Sequence, residues 1–168
     1  PTSKRAAETL CVTYANQYGI EIVVARLCHT YGPNFTEQDN RAYAQFFLKA
    51  IHGEDIVMKS AGEQYRSWIY AEDCANAILT ILLNGQNCEA YNVADEKSCV
   101  TIREFAEKIA NLCNVKVVFD LPSDEERKGF SIIKKATFDT SKLRQLGWKV
   151  MNSLDEGLVK TYDKLLQV

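Results

Sequence analysis

The chain has 168 residues, 46% of them hydrophobic and 25% charged. That is ordinary globular usage, which excludes disordered, collagen-like and disulfide-miniprotein classes and leaves enough apolar side chain for a core without metals or disulfides. Twenty basic and 22 acidic residues give a formal net charge of −2, so there is no broad positive field for nucleic acid and no polybasic anchor for a membrane. Any phosphate recognition must then be local. Six cysteines, Cys11, Cys28, Cys74, Cys88, Cys99 and Cys113, lie far apart with no C-x-x-C pair, a usage that argues against zinc and for a reduced, cytoplasmic setting. No apolar run approaches the ~20 residues of a membrane span.

In chain order, Ala7, Leu10, Cys11, Tyr14 and Tyr18 recur at helical spacing from Ser3 onward, and Gly19 is a C-terminal stop. Residues Ile20 to Leu27 are β-branched and apolar after Glu21, the expected composition of a strand covered on both faces in a parallel sheet. The turn Tyr31-Gly32-Pro33-Asn34 interrupts, and Tyr43, Phe46, Phe47, Ala50 and Ile51 mark a second helix ending near Gly53. Two short extended pieces, Ile56 to Lys59 and Arg66 to Tyr70, flank a turn at Gly62. A third helix is expected over Glu72 to Leu83 and a short buried strand over Ala90 to Ala94. Thr101 and Glu104 form the pattern of a capping box and open a fourth helix running to Cys113, followed by a strand over Val115 to Phe119. The charged stretch Asp120 to Lys135 reads as a long loop, Thr140 to Leu146 as a short helix, and Ser153 with Glu156 as the cap of a last helix reaching Leu166.

Four constellations carry polar chemistry. Lys4 stands near the start of the first helix, where a tyrosine four residues earlier would share its face and have its phenol acidified by the ammonium. Taken alone, Lys4 reads as a solvated terminal lysine. Arg26 to Pro33 runs from a strand into a polar turn at the carboxyl end of a parallel sheet, where open α/β sheets bind ligands. Gly62 to Tyr70 places Arg66 at the opening of a strand, able to fork onto phosphate oxygens. Asp139 to Leu143 and Leu146-Gly147-Trp148 read singly as helix caps and a core indole.

Six short motifs in this order resemble the C-terminal half of the extended short-chain dehydrogenase/reductase family, specifically its NAD-dependent nucleotide-sugar epimerases and dehydratases. They are Ser3-Lys4-x-x-Ala7-Glu8, Arg26 to Pro33, Gly62 to Ser67, Tyr70 with Asp73, Tyr91 to Val93, and the pair Asp139 to Lys142 with Leu146 to Trp148. The resemblance implies an α/β fold: the C-terminal part of a Rossmann-like parallel sheet, from 1–33 and about 66–95, plus a small α/β substrate-binding domain, mainly from 34–65 and 96–168.

It also implies roles. Lys4 matches the family's active-site lysine, which contacts the nicotinamide ribose and depresses the pKa of a catalytic tyrosine expected just upstream of Pro1. Leu27, Cys28 and His29 match the nicotinamide pocket, with His29 also reaching the substrate. Arg66 matches the arginine that holds the diphosphate of the nucleotide sugar, and Arg41 and Arg127 are further candidates there. Lys4 and Arg66 are expected to face one cleft. The implied cofactor is NAD, with NADP left open, and the implied partners are a nucleotide-diphosphate sugar and a second copy of the chain in a homodimer, with no nucleic acid and no membrane.

Three departures qualify the match. His29 stands where asparagine is common in the family, Lys59 where many members carry an aromatic residue, and no Gly-x-x-Gly-x-x-Gly turn for the dinucleotide diphosphate is present. The chain is therefore read as the substrate-binding portion of an epimerase or 4,6-dehydratase, inactive by itself. The rival readings are a non-catalytic member of the fold that senses a dinucleotide, and a protein-interaction domain.

Overall fold

The computed structural model describes residues 2–121 and 133–167. Its elements are α1 (Thr2–Tyr18), β1 (Val23–Leu27), β2 (His29–Tyr31), α2 (Ala42–Ile51), β3 (Ile56–Met58), β4 (Tyr65–Tyr70), α3 (Ala71–Asn84), β5 (Glu89–Val93), β6 (Cys99–Thr101), α4 (Ile102–Cys113), β7 (Val117–Phe119), β8 (Lys135–Ala136), α5 (Ser141–Gln145) and α6 (Leu154–Leu165). Strands β1 and β5 pair in parallel, β3 pairs in parallel with β7, and β4 is flanked by β2 in parallel and by β6 antiparallel, with β8 alongside.

Strand β4 organises the interior because five of its six residues are buried and successive side chains point to opposite faces. Trp68 and Tyr70 face a first core built with Phe47 of α2, Ile56 of β3, Phe105 and Ile109 of α4 and Leu158 of α6. Ile69 faces a second core with Cys74, Ala77 and Ile81 of α3, Tyr91 and Val93 of β5, Leu143 of α5, and Trp148. The Trp68 ring stacks on Phe105 at 3.9 Å between centroids.

Both anticipated capping boxes are present. Thr101 and Ser153 each accept from the backbone N–H three residues on, and Glu104 and Glu156 reach back to the cap residue's N–H. Those bonds hold both carboxyl groups below their usual range.

A buried aspartate ties α3 to the entry of α6. Asp73, fully buried, accepts from the Met151 N–H at 2.6 Å, the Asn152 N–H at 3.1 Å and the Asn152 side-chain amide at 2.9 Å.

Along α1 only Ala15 is buried among the described residues, while Leu10, Tyr14 and Tyr18 are more than half exposed. One expectation is corrected. The strand expected from Ile20 begins at Val23, and it is not covered on both faces, since Leu27 is 46% exposed; among the described residues it pairs with β5 alone. The cause is common to α1 and β1. Periodicity reports which residues are apolar, not which partners exist to cover them, and neither α1 nor the outer edge of β1 has a neighbouring layer among the described residues. No described helix is long and apolar enough to cross a membrane.

Candidate active site

The carboxyl end of β1 and the start of β2 open onto a cavity of about 710 Å³ whose wall includes Leu27, Cys28, His29, Arg41, Tyr43 and Trp68. Four of the residues singled out in the sequence are thus brought together. The local reason is the short run between the strands. The Cys28 N–H still bonds the Val93 carbonyl at 3.0 Å, and one residue later the chain leaves β5 and pairs with β4, His29 lying opposite Trp68. A strand that changes partner leaves a notch, and Leu27, Cys28 and His29 line it.

The chemistry of the wall follows from burial. Burial first, then the neighbouring Cys74, pushes the Cys28 thiol far up, so this residue is a small protonated apolar surface and not a nucleophile. His29 itself is exposed, but partial desolvation where its ring meets the wall and the nearby Arg66 guanidinium push the imidazole down, against an opposing hydrogen bond with the Ser67 backbone. His29 is therefore neutral at pH 7, with one ring nitrogen that donates and one that accepts. Its ring lies 5.2 Å from that of Trp68, whose indole N–H is buried without a partner among the described residues.

Also in the wall, Arg41 immediately precedes α2. Asp39 fixes it through bonds of 2.5 to 3.0 Å, and its guanidinium lies 4.9 Å from the centre of the Tyr43 ring. Asp39 also receives the Arg41 backbone N–H at 3.0 Å.

Arg66 does not line the cavity. It shares a face of β4 with Trp68, two residues on, and is 92% buried, donating to the Tyr65 carbonyl at 2.8 Å and the Ile133 carbonyl at 3.1 Å. Its charge reaches the cavity through His29. Lys4 also lies outside the wall, exposed in the first turn of α1. The Glu8 carboxylate, one turn later, grips Arg26 of β1 at 2.6 and 2.9 Å, which aligns the start of α1 with the end of β1 that opens onto the cavity. Arg127 lies outside the described residues. Lys59 pairs with Asp120 on the surface, away from the cavity.

The cavity also includes residues not anticipated as site residues: Tyr43, Trp68 and Phe138. Tyr43 read as part of a helix stripe, and Trp68 gave one usable signal, its position two residues beyond Arg66 on the same strand. Phe138 gave none, because its placement depends on its N–H reaching the Ser67 hydroxyl at 3.1 Å from a distant part of the chain.

On this wall Leu27, Cys28, Tyr43, Trp68 and Phe138 offer flat or apolar contact and His29 offers polar contact, a set compatible with a flat heteroaromatic ring. Nothing in the sequence provides a glycine-rich turn for a dinucleotide diphosphate.

Known proteins resemble the chain in sequence and in fold. The chain is 33% identical over 162 residues to UDP-glucuronic acid decarboxylase 1 of Xenopus tropicalis, covering 94% of the chain and 36% of that protein. It superposes on the UDP-glucose 4-epimerase of Thermotoga maritima, solved with UDP-glucose, with a TM-score of 0.84 at 24% identity, over 99% of the chain and 52% of the epimerase. It also superposes on the dTDP-glucose 4,6-dehydratase of Bacillus anthracis, solved with NAD, with a TM-score of 0.83 at 19% identity, over 99% and 51%. The chain thus spans between about a third and a half of the length of these proteins. The two structural likenesses establish an α/β fold of the Rossmann-like epimerase type. The profile of the NAD dependent epimerase/dehydratase family matches residues 1–94, more than half of the 168, and the chain belongs to that family.

Proposed function

We propose that this chain is the substrate-binding portion of an NAD-dependent enzyme that remodels the sugar of a nucleotide-diphosphate sugar, by epimerisation, dehydration or decarboxylation. The observation that carries the reading is the cavity where β1 ends and β2 starts, which gathers Leu27, Cys28, His29 and Arg41 beside a buried arginine. Its identity to a UDP-glucuronic acid decarboxylase, together with the UDP-glucose and NAD held by the superposed enzymes, supports the same ligand classes here. The division of 1–33 and 66–95 as sheet, with 34–65 and 96–168 as substrate domain, belongs to this proposal.

In it, Leu27 and Cys28 lie against the nicotinamide, and the neutral imidazole of His29 orients a sugar hydroxyl by donating and accepting. Arg66 supplies positive potential behind the diphosphate, and Arg41 in the wall, with Arg127, grips its oxygens. Lys4 lowers the pKa of a tyrosine acting as base on the sugar. NAD, when bound, accepts and returns a hydride. Remote binding of the nucleotide holds the small reacting ring in place.

The test is turnover by the product of the complete gene with NAD and a panel of UDP-glucuronic acid, UDP-glucose and dTDP-glucose. Turnover of one of them, with a loss of kcat of about 100-fold in Lys4→Ala, consistent with general acid-base roles, is expected. No turnover of any, or an unaffected Lys4→Ala enzyme, overturns the assignment.

A further inference from the structure

A second cavity, of about 550 Å³, shares no residue with the first. It lies beyond the end of β5, among the 94–98 turn, α5, the 148–151 segment and the start of α6. We propose that it is a separate ligand site and that it takes a small phosphate monoester carried on a flat apolar body.

The floor is apolar. Ala94, Val100, Trp148, Val150 and Leu154 line it, and Trp148 is only 4% exposed. The Trp148 indole N–H is buried without an acceptor among the described residues, an uncommon state for a donor in a packed interior. The nearby sequence read as helix caps, a core indole and a family motif with no site role, and none of these residues lines the first cavity.

The rim is charged, and its carboxylates are already engaged. Asp95 accepts from the Ser98 hydroxyl and from the Lys97 backbone N–H at 3.0 Å. Glu96 accepts from the Thr140 N–H and hydroxyl, both at 2.8 Å, and pairs with Arg144 at 3.3 Å. Asp155 pairs with Lys108 at 2.6 Å. Two ammonium groups remain, those of Lys97 and Lys149. Both are exposed on the rim and make no ion pair among the described residues. Two unmatched cations above an apolar floor suit a dianion attached to a ring, with the ring against Trp148 and the phosphate between the lysines.

The chain contains two tryptophans, one in each cavity, so its two indole N–H resonances report the two sites separately. A ¹⁵N-labelled sample of the chain is titrated with phenyl phosphate, with Trp148→Phe used for assignment. A saturable shift of the Trp148 resonance with Trp68 unmoved is expected. Inorganic phosphate and benzyl alcohol should each bind at least tenfold more weakly. The double variant Lys97→Ala/Lys149→Ala should bind phenyl phosphate about tenfold more weakly, as losing two exposed ion contacts implies, while an unchanged Trp68 resonance shows that it is folded. Movement of Trp68 instead, no saturable shift, controls that bind as well as phenyl phosphate, or a double variant of unchanged affinity each overturns the proposal.

Discussion

Replacing Gly157 with alanine sets two effects of opposite sign against each other. Gly157 lies in the interior of α6, where alanine is favoured over glycine by about 1 kcal/mol. By propensity alone the substitution stabilises. The structure gives the opposite sign. A Cβ at this position would sit 2.2 Å from the Tyr31 hydroxyl oxygen, 3.0 Å from its ring carbon Cζ and 3.1 Å from the Tyr70 Cβ. Tyr31 cannot withdraw easily, because it is 1% exposed, packed edge-on against Phe105, and donates to the Leu154 carbonyl at 3.0 Å. Overpacking of this kind costs about 1 to 3 kcal/mol, and displacing a buried hydroxyl from its acceptor adds about 1 to 3 kcal/mol. After subtracting the propensity gain, the net destabilisation is about 1 to 5 kcal/mol, or roughly 2 to 20 °C in melting temperature for a chain of this size. The assay is urea and thermal unfolding of four proteins: the unmodified chain, Gly157→Ala, Tyr31→Phe and the double variant. Because Tyr31→Phe removes the nearest clashing atom, the cost of Gly157→Ala should fall by at least ~1 kcal/mol in that background. A Gly157→Ala protein that gains stability, or a cycle that is strictly additive, refutes the reasoning.

Three further outcomes follow from buried or paired groups. Asp73→Asn removes a carboxylate that accepts three bonds and leaves an amide facing N–H donors; it should cost about 3 to 5 kcal/mol, judged from charged hydrogen bonds of about 1.5 to 3 kcal/mol each, read as a lowered urea midpoint at unchanged slope. His29 has a folded pKa below its unfolded one, so the unfolded state binds more protons in the interval between them. Its contribution is complete above the unfolded value near 6.5 and is lost as pH falls through that value toward the folded one. Melting temperature between pH 7.5 and 5.5 should therefore fall less in His29→Gln than in the unmodified chain; equal slopes would contradict the lowering of the imidazole pKa by partial desolvation and Arg66. Asp39→Asn keeps an acceptor for the Arg41 N–H but removes the charge that occupies its guanidinium. Affinity for UDP, followed by calorimetry, should rise about two- to fivefold, in line with an exposed pair of ~0.5 to 1 kcal/mol; weaker binding would show that Asp39 positions Arg41 for the ligand.

Local signals in the sequence located most elements, because caps and stops act within a few residues. Thr101 with Glu104, Ser153 with Glu156, and Gly19 at positive φ all mark the ends they were expected to mark. The three-residue strands β2 and β6 were not legible, since so short a run has no periodicity and forms only because β4 pairs with it from both sides. For the same reason the role of β4 as the wall between two cores was hidden, although its alternation of Arg66, Trp68 and Tyr70 with Ser67 and Ile69 is plain in retrospect. At the site, Leu27, Cys28 and His29 were legible because a strand running into a polar turn at the carboxyl edge of a sheet is itself a ligand signal. Arg66 stood out in the sequence as an arginine able to fork onto phosphate oxygens, a role that belongs to the proposed function. Its burial against the Tyr65 and Ile133 carbonyls was not legible, because that depends on β8 lying beside β4. Asp73 read as a helix-entry residue, and its three bonds to the segment before α6, some 78 residues away, could not be seen from its neighbours.

The most direct measurement is a titration of the ¹⁵N-labelled chain with UDP-glucuronic acid, following the Trp68 and Trp148 indole resonances and the imidazole of His29. Binding in the cavity where β1 ends and β2 starts predicts that Trp68 and His29 shift together and saturably, that Trp148 stays still, and that Arg66→Ala weakens the interaction at least tenfold. Motionless Trp68 and His29 signals at millimolar ligand, or an affinity indifferent to Arg66, would contradict it.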